Sequence, residues 1–575
     1  MKKLMLGNEA VARGLYEAGV RVISSYPGTP STEITEYAAK YDDMYCEWAP
    51  NEKVATEVAT GAQIGGARSF CAMKHVGLNV AADPIYTAAY TGVNAGMVLA
   101  VADDPGMHSS QNEQDSRHHA IAAKVPMLEP ADSAECLRFA KLAYELSEKY
   151  DTPVMLRLTT RVSHSRSLVE TGERVELAVK DFPKDPQKYV MMPAMAIKRH
   201  AIVEQRQAAL ALEAETADFN RVEDNGAEIG VITAGICYQY AKEALGDQAN
   251  YLKLGLVNPL PAELIRDFAK KCKKVYVIEE LDGIIETHCK ALGVEVVGKE
   301  LFGYLGEFSQ RIVREKILGL TPETLNTDLN IPGRPPVLCA GCPHRGMFYT
   351  LKKLGCNVSG DIGCYTLGAL APLSSIDSCI CMGASVSALH GMNKARGNDF
   401  AKKSVAVIGD STFIHSGITG IIDIAYNQGV STVIVLDNSI TGMTGHQQNP
   451  ATGYTIKGDP TSAVDLTALA KACGFRRVRV VDPYNLAESE AAVKEELAAE
   501  EPSLIISRRP CALLKYVKHN PPMKVNADKC VGCKSCMKIG CPAISMKNGK
   551  AVIDYTQCVG CGVCAQMCKL GAIEG

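Results

Sequence analysis

The stretch SVAVIGDSTFIHSGITGIIDIAYNQGVSTVIVLDNSITG, Ser404 to Gly442, sets the fold of the C-terminal half of the chain. It reads as an apolar strand ending in Gly409-Asp410, then a helix, then a second apolar strand ending in Asp437-Asn438. This order predicts two parallel strands with a helix packed on the sheet. Asp410 and Asn438 would meet at the carboxyl edge of that sheet, where oxygen ligands suit Mg²⁺. The alternative is an ordinary turn followed by a solvated strand end.

The same alternation of β-rich and helical segments recurs along the chain and predicts a multidomain α/β protein with parallel sheets. In the N-terminal part the β-rich runs are RVISSYP, SFCAMKH, GMVLAVADD and PVMLRL. After about Ser167 the sequence becomes charged and irregular, and a second α/β set begins at EIGVITAG. The predicted divisions are an α/β domain at 1–166, a connector at 167–228, an α/β domain at 229–310, a linker at 311–336, an α/β domain at 337–520 and a cysteine-rich tail at 521–575.

Composition favours an ordinary globular protein of the cytoplasm. The 575 residues are 47% hydrophobic and 22% charged, and the formal net charge of −3 gives no reason to expect nucleic acid or an anionic membrane as a partner. The N-terminal MKKLMLGNEA does not read as a signal peptide. Twenty-two cysteines without a secretory signal favour metal or cluster ligation over a disulfide framework.

The tail carries two cysteine runs, CVGCKSCMKIGCP from Cys530 and CVGCGVCAQMCK from Cys558, and resembles the two-cluster ferredoxins. The resemblance implies two [4Fe-4S] clusters, with the fourth cysteine of each run serving the other cluster. Cluster A would take Cys530, Cys533, Cys536 and Cys568, and cluster B would take Cys558, Cys561, Cys564 and Cys541. Two features depart from the ferredoxin pattern: four residues precede Cys541 where three are usual, and Lys569 replaces a proline. A zinc site is the alternative.

The Gly409-Asp410…Asn438 pattern resembles the diphosphate motif of thiamine diphosphate enzymes. The resemblance implies that Asp410, the Asn438 side chain and the Ile440 carbonyl hold Mg²⁺ and, through it, the cofactor. A second segment, NEKVATEVATGAQIGGAR from Asn51, resembles the cofactor-activating glutamate segment of the same superfamily. There a carboxylate beside the aminopyrimidine promotes loss of the thiazolium proton. Glu52 is the preferred residue and Glu57 the competitor; an acid at a helix N-terminus is the alternative reading of Glu52.

Thiamine and cluster motifs together resemble the 2-oxoacid:ferredoxin oxidoreductases across nearly the whole chain. YPGTPST, Tyr26 to Thr32, matches an early motif of that family and implies that Thr29 lies near the substrate carbonyl. The domain order is similar to that of the alpha subunits in the indolepyruvate branch. It implies a pyrimidine-binding domain at 1–166, a transketolase C-terminal-like domain at 229–310 and a diphosphate- and Mg²⁺-binding domain at 337–520.

The resemblance also implies the reaction and the partners. An aryl 2-oxo acid and coenzyme A would give acyl-CoA, CO₂ and two reduced molecules of an external ferredoxin. No segment is left over for the family's gamma-type domain, so we expect a separate smaller beta subunit and a homodimer of this chain within a heterotetramer. Three alternatives stay open: the same chemistry on pyruvate or a branched 2-oxo acid, an electron-transfer subunit without catalysis, and a non-oxidative decarboxylase.

A third [4Fe-4S] cluster close to the thiazolium would link the cofactor to the tail. In the wider family such a cluster is held by a Cys-x-x-Cys pair, a later Gly-Cys and a distant Pro-Cys. Four cysteines match that pattern in order, namely Cys339, Cys342, Cys364 and Cys511. Pro343-His344 after the pair departs from the family pattern, and buried structural thiols are the alternative reading.

Several polar residues are weaker candidates. Lys74, His75 and Asn79 follow a predicted strand end and are candidates to meet the substrate carboxylate, with a solvated loop as the alternative. His415 and His446 flank the presumed metal site, and His415 is a candidate diphosphate contact. The run Arg117–His119 is interpreted as surface.

Overall fold

The computed structural model describes residues 1–321 and 329–575, which form two compact units, Met1–Asp328 and Leu329–Gly575. Residues 322–328, in the middle of the predicted linker, lie outside the described residues. Within the described part of the chain, no helix combines the length and the apolar character that a membrane crossing requires.

The N-terminal unit contains thirteen strands and fifteen α-helices among its described residues. The strands are β1 (Lys2–Leu6), β2 (Val22–Ser25), β3 (Tyr45–Trp48), β4 (Ser69–Lys74), β5 (Met97–Asp103), β6 (Met127–Leu128), β7 (Val154–Thr159), β8 (Arg166–Glu170), β9 (Arg221–Glu223), β10 (Ile229–Ala234), β11 (Ala249–Leu254), β12 (Leu256–Asn258) and β13 (Lys274–Ile278). The helices are α1 (Gly7–Glu17), α2 (Thr32–Ala38), α3 (Glu52–Ile64), α4 (His75–Val80), α5 (Ala82–Thr91), α6 (Arg117–Ala123), α7 (Ser133–Tyr150), α8 (Thr160–His164), α9 (Pro186–Tyr189), α10 (Pro193–Ala214), α11 (Ile236–Leu245), α12 (Ala262–Ala269), α13 (Ile284–Ala291), α14 (Lys299–Phe302) and α15 (Gln310–Leu318).

Two predominantly parallel sheets organise this unit. The larger has the order β12-β6-β7-β5-β4-β2-β3, and all its pairs are parallel except β12 with β6. The smaller has the order β13-β10-β11-β9, with only β9 antiparallel. The strands predicted from the N-terminal β-rich runs are β2, β4, β5 and β7, and the last three are buried almost throughout, as expected of strands covered on both faces.

The two sheets of the N-terminal unit share a hydrophobic core. One continuous cluster joins Met73 and Val101 of the large sheet to Ile232 and Val277 of the small one. Strand β12 belongs to the second α/β segment by sequence, yet it pairs with β6 at the edge of the large sheet. The connector adds the 22-residue helix α10, whose Arg206 donates 2.7 Å to the Ala89 carbonyl oxygen of the first segment.

The C-terminal unit contains ten strands and eight α-helices among its described residues. The strands are β14 (Asn357–Gly360), β15 (Ser378–Cys379), β16 (Ser404–Gly409), β17 (Thr432–Asp437), β18 (Arg477–Val481), β19 (Ser503–Arg508), β20 (Lys524–Val525), β21 (Ile544–Lys547), β22 (Lys550–Ile553) and β23 (Ile573–Glu574). The helices are α16 (His344–Leu354), α17 (Ala384–Arg396), α18 (Asn398–Ala401), α19 (Asp410–Thr412), α20 (Ile418–Tyr426), α21 (Leu466–Ala472), α22 (Leu486–Leu497) and α23 (Val563–Gln566).

A six-stranded, fully parallel sheet forms the body of this unit, in the order β15-β14-β16-β17-β19-β18. β16 and β17 are central and fully buried, because Val, Ile and Ala fill both faces. The tail adds two short antiparallel ribbons, β20 with β23 and β21 with β22, around a small core of its own. The predicted α/β fold with parallel sheets and a small cysteine-rich tail is confirmed.

Candidate functional site

The carboxyl edge of the central sheet brings the predicted magnesium ligands together. Gly409 at the end of β16 pairs with Leu436 of β17, so the residues that follow the two strands lie side by side. Asp410, Asn438 and Ile440 are 2%, 8% and 3% exposed. The inward-facing terminal amide atom of Asn438 lies 3.3 Å from Asp410 Oδ1 and 2.7 Å from the Ile440 carbonyl oxygen.

The chemistry of this cluster fits a divalent cation. Without a cation the Asn438 amide would turn its nitrogen inward, so that it donates to the two oxygens. Bound Mg²⁺ would instead favour the amide oxygen at this position, and Asp410, Asn438 and the Ile440 carbonyl would each offer it an oxygen ligand. Burial, together with the neighbouring Asp437 carboxylate, raises the pKa of Asp410 to about 7. A cation would restore the charged form of Asp410.

Gly409 permits a close approach at this edge. A Cβ at this position would lie 2.6 Å from Cε1 of the Tyr365 ring, so a larger residue would displace the ring or the strand end. The helix that starts at Asp410 contains a π-helical turn, Phe413–Gly417, before α20. Such turns are frequent at functional sites.

Two polar residues of this edge were missed by the sequence analysis. Asn449 donates from Nδ2 to Asp410 Oδ2 at 3.5 Å and to Thr441 Oγ1 at 3.4 Å. Asp361, which is fully buried, accepts the backbone N–H groups of Gly383 and Ser385, each at 2.9 Å, at the start of α17. No sequence motif indicated a role for Asn449. Asp361 directly follows a strand within GDIGC, and this position after a strand is the feature by which the sequence analysis selected Asp410.

The two weaker histidine candidates lie in different surroundings. His415 is buried in the π-helical turn, beside the Ser416 hydroxyl. His446 is exposed, has a φ of 69°, and its Nε2 lies 3.8 Å from Cys511 Sγ. His446 therefore borders one of the predicted cluster ligands.

Glu52 occupies the first turn of α3 in the N-terminal unit. Asn51 caps this helix by accepting the Val54 N–H at 2.9 Å, as an N-cap asparagine does. The Glu52 carboxyl group is 4% exposed and packs against Gly77, where a Cβ would lie 2.5 Å from Glu52 Oε1. Glu57 differs, because its side chain is 46% exposed and pairs with Lys53. The buried carboxylate is the better match to a group that faces a cofactor ring.

Other substrate candidates cluster around Glu52. A Cβ on Gly28, next to Thr29, would lie 3.3 Å from Cγ of Lys74. The Lys74 ammonium donates 3.0 Å to the Ser109 carbonyl oxygen; burial lowers its pKa, while Asp104 and Glu52 act in the opposite direction. Thr29, Lys74 and Glu52 therefore belong to one region of this unit.

His75 and Asn79, which follow Lys74, lie on helix α4 rather than in a solvated loop. His75 is 1% exposed, and its Nε2 lies 3.2 Å from the Asn112 carbonyl oxygen. Burial lowers the pKa of His75, which favours a neutral ring. Asn79 is exposed at the end of the helix.

The surface interpretation of Arg117 is wrong. Arg117 is 1% exposed and is the centre of a buried ionic network, with contacts of 2.5 Å to Asp115 and 2.6 Å to Glu279. Arg157 extends the network with a 2.7 Å contact to Asp103. Local sequence gave no indication of Glu279 as a partner, because it lies 162 positions along the chain. His118 is exposed, as the surface interpretation requires.

The tail contains two cavities, and four cysteines of the tail line each of them. One cavity is lined by Cys541, Cys558, Cys561 and Cys564, and the other by Cys530, Cys533, Cys536 and Cys568. Each set takes three thiols from one run and one from the other. This arrangement fits two cubane clusters. Backbone N–H groups of Ala551 and Ala572 donate to the sulfurs of Cys530 and Cys568, which suits thiolate ligands.

The four cysteines proposed for a third cluster also lie near one another. Burial raises the pKa of Cys342 to about 12 and that of Cys364 to about 11, and neighbouring thiols of the same set contribute to both shifts. Cys511 donates its backbone N–H to the Asn438 carbonyl oxygen at 2.9 Å. A Cβ on Gly442 would lie 3.3 Å from Cys364 Sγ and 3.5 Å from Asn438 Nδ2. This thiol set therefore borders the candidate magnesium site.

Comparisons with known families match three segments of the chain. Residues 13–230 match the thiamine-diphosphate-binding domain of pyruvate flavodoxin/ferredoxin oxidoreductases. Residues 361–507 match the C-terminal TPP-binding domain of thiamine pyrophosphate enzymes. Residues 522–569 match the 4Fe-4S dicluster domain.

Curated relatives extend the similarity to the whole chain. Indolepyruvate oxidoreductase subunit IorA of Archaeoglobus fulgidus is 40% identical over 615 residues, covering 100% of this chain and 97% of the relative. The subunit of the same name from Methanothermobacter thermautotrophicus is 42% identical over 605 residues, with the same coverage. A solved 2-oxoglutarate:ferredoxin oxidoreductase from Magnetococcus marinus is 19% identical, with a TM-score of 0.47 over 55% of this chain and 65% of that one.

Proposed function

This chain belongs to the family of indolepyruvate oxidoreductase IorA subunits, thiamine-diphosphate-dependent 2-oxoacid:ferredoxin oxidoreductases with iron–sulfur clusters, and we propose that it oxidatively decarboxylates an aryl 2-oxo acid of the indolepyruvate type. The proposed co-substrate is coenzyme A and the proposed acceptor is ferredoxin. The bond between the carboxylate and the 2-oxo carbon breaks and a thioester C–S bond forms. The products are acyl-CoA, CO₂, one proton and two electrons, which leave one at a time to two ferredoxins.

The proposed cofactor, thiamine diphosphate, supplies a thiazolium carbon able to add to the 2-oxo carbonyl. Glu52 would hold a proton at the aminopyrimidine ring nitrogen, since a buried carboxylate is suited to that task. Asp410, the Asn438 side chain and the Ile440 carbonyl would hold Mg²⁺ against the diphosphate. Thr29 would contact the substrate carbonyl, and Lys74 is the nearby cation for its carboxylate.

One observation carries this proposal: the candidate cluster thiol Cys364 and the candidate magnesium ligand Asn438 both lie within 3.5 Å of one point beside Gly442. A decarboxylase that keeps its electrons on the product has no use for thiols at this position. An electron-transfer subunit without catalysis has no use for the converging oxygens of Asp410, Asn438 and Ile440. The juxtaposition therefore supports catalysis coupled to electron removal.

The proposed electron route starts at the Cys339, Cys342, Cys364 and Cys511 set and continues through the two tail clusters to an external ferredoxin. Cys342 supports this order, because it also lines the cavity formed by Cys541, Cys558, Cys561 and Cys564. The relatives are named as subunits. We propose that this chain likewise works with a smaller beta subunit, as a homodimer within a heterotetramer.

A different 2-oxo acid is the second candidate for the substrate. A 2-oxoglutarate synthase subunit KorA from Methanothermobacter thermautotrophicus is 29% identical over 190 residues, which is 31% of this chain. The matching segment supports related chemistry, whereas full-length similarity is to the indolepyruvate subunits.

Steady-state kinetics with the chain purified together with its partner subunit test the proposal. Indolepyruvate, phenylpyruvate, pyruvate, a branched 2-oxo acid and 2-oxoglutarate are compared, with ferredoxin reduction as the signal and coenzyme A present or omitted. We expect the highest kcat/KM for the aryl substrates and dependence on coenzyme A. A preference for pyruvate would contradict the substrate assignment, and CO₂ release without ferredoxin reduction would contradict the reaction type.

A further inference from the structure

Arg345 is a buried arginine at the start of α16, directly after the Cys339–Cys342 loop, and is 5% exposed. All four of its hydrogen bonds go to backbone carbonyl oxygens. Two of these carbonyls belong to Leu338, directly before the loop, and to Cys339, its first residue, the latter at 3.0 Å. The other two, Ile539 and Gly540, belong to the tail, at 3.1 and 2.6 Å. The guanidinium therefore joins the diphosphate-binding part of the unit to the tail.

Cysteine residues of two cluster sets lie around the charged guanidinium of Arg345. Arg345 donates to the Cys339 carbonyl oxygen and lines one cavity together with Cys342, Cys541 and Cys561. Two of these belong to the proposed third cluster and two to cluster B. Among the ion pairs found within residues 1–321 and 329–575, none includes Arg345. An unpaired buried cation is costly, whereas a thiolate-ligated cluster on each side would supply the missing negative charge.

The tail sequence is adapted to this arginine. Gly540, in the unusual four-residue gap before Cys541, has a φ of 67°. A Cβ there would lie 3.2 Å from the guanidinium and 2.8 Å from Pro372 Cδ, so glycine suits both the left-handed backbone and the close approach. The gap that departs from the ferredoxin pattern thus forms the turn whose carbonyl oxygens accept from Arg345.

We propose that Arg345 is a positioning residue of the electron relay, which fixes the distance between the third cluster and cluster B and stabilises the electron on cluster B. The inference rests on the proposed function, because it requires clusters in both cysteine sets. A reduced cluster carries one more negative charge than an oxidised one, so a fixed cation in a medium of low polarity favours the reduced form. The electron passes from one cubane to the next, and no proton or bond is involved.

Redox titration followed by EPR, on the complete complex with its partner subunit, tests the inference. Arg345→Gln removes the charge and keeps N–H donors, Arg345→Lys keeps the charge, and Arg476→Gln, at an exposed position, is the control. For Arg345→Gln we expect the ratio of reduced to oxidised cluster B at a fixed potential to fall at least tenfold, which corresponds to about 59 mV for one electron. Cluster A and the Arg476→Gln control should stay close to the unchanged protein, and Arg345→Lys should lower the cluster B potential by less than Arg345→Gln does.

Unchanged cluster B potentials in Arg345→Gln at full iron content would overturn the inference. If Arg345→Gln does not retain iron, Arg345→Lys tests the inference, because its ammonium group cannot reach all four carbonyl oxygens. A cluster B potential that is lowered, but by less than tenfold in the reduced-to-oxidised ratio, supports the inference. A raised or unchanged cluster B potential in Arg345→Lys overturns it. The titration uses dithionite and needs no 2-oxo acid. The cluster potentials can therefore be measured even if the proposed substrate is wrong, and the steady-state kinetics test the substrate separately.

Discussion

At the scale of single residues, the two carboxylates assigned to the cofactor are held in different ways. Glu52 is buried on the first turn of α3 against Gly77, with an exposed acid, Glu57, one turn later on the same helix. Asp410 is buried among acceptor oxygens, and its pKa is raised to about 7.

Glu52→Gln should abolish turnover while thiamine diphosphate still binds. The amide has nearly the shape of the carboxylate, so the packing against Gly77 is kept, but it cannot hold the proton that activates the cofactor. Steady-state turnover and cofactor binding measured by calorimetry check this outcome. Glu57→Gln is the matched control and should remain active, since Glu57 pairs only with exposed Lys53. Near-normal turnover of Glu52→Gln would make the assignment wrong.

Magnesium affinity should depend on pH through Asp410. The carboxylate must be deprotonated to bind the cation, so below about pH 7 protons compete and the apparent affinity should fall about tenfold per pH unit. The effect of pH on folding stability has the opposite sign. Because the pKa of Asp410 in the folded protein lies above that of an aspartate in the unfolded chain, the metal-free protein loses stability as pH rises from about 4 through 7. Titration with Mg²⁺ and thiamine diphosphate between pH 5.5 and 8 measures this.

The variant Asp410→Asn shows whether the pH dependence of magnesium binding comes from Asp410 or from another titrating group. Asp410→Asn cannot release a proton in this range, so its weakened magnesium binding should show little dependence on pH. Asp410→Ala should lose the cofactor itself, because the diphosphate loses its metal anchor. An equally steep pH dependence in Asp410→Asn would assign the titration to another residue.

At the scale of elements, two connections hold functional parts in place. The Cys339–Cys342 loop approaches the tail so closely that a Cβ on Gly341 would lie 2.1 Å from Cγ2 of Val559. In the N-terminal unit, Arg117 at the start of α6 bonds to Glu279, which follows β13. The first connection concerns electron transfer and the second concerns stability.

Cys342→Ser should remove the third cluster and leave the tail clusters in place. Three [4Fe-4S] clusters require about twelve irons per chain, and we expect about eight in this variant. Iron analysis and EPR of anaerobically purified protein measure the count. Cys356→Ser, a half-buried cysteine outside the three sets, is the control and should keep about twelve. About eight irons in the unchanged protein as well would leave only the tail clusters.

Arg117→Met should destabilise the N-terminal unit by about 3–5 kcal/mol, because it leaves Asp115 and Glu279 as buried charges without their partner. Thermal unfolding followed by circular dichroism should show a clearly lower midpoint. Arg138→Met is the control: its ion pair with Asp218 is exposed, and its loss should change stability by less than about 1 kcal/mol. Equal midpoints for the two variants would show that the buried network contributes little.

At the scale of the whole molecule, the candidate glutamate Glu52 lies in one compact unit, and the candidate magnesium site and the cysteine sets lie in the other. Thiamine enzymes frequently build their site from two copies of a chain. We therefore expect the active species to contain two copies of this chain together with the smaller subunit. Light scattering of the purified complex measures its mass, and turnover is assayed on the same fractions. A fully active isolated monomer would contradict this expectation.

The sequence by itself determined the fold class, the two cysteine runs of the tail and the Asp410…Asn438 pair, because each of these follows from local spacing. The division of the tail cysteines between two clusters came from the resemblance to two-cluster ferredoxins. Strand ends and Cys-x-x-Cys runs place their side chains through backbone geometry that a few neighbouring residues dictate. Glu52 and Thr29 came from resemblance alone, and their roles remain proposals.

Only the tertiary structure decided what depends on contacts between distant segments. Arg117 reads as a surface residue until β13 brings Glu279 to it. Asn449 carries no motif, and its position at Asp410 depends on the path of the loop after β17. Arg345 acquires its surroundings only when the tail, almost 200 positions later, supplies the Ile539 and Gly540 carbonyl oxygens. Burial changes what a charged group must do, and burial is a property of the packed chain that no short stretch of sequence contains.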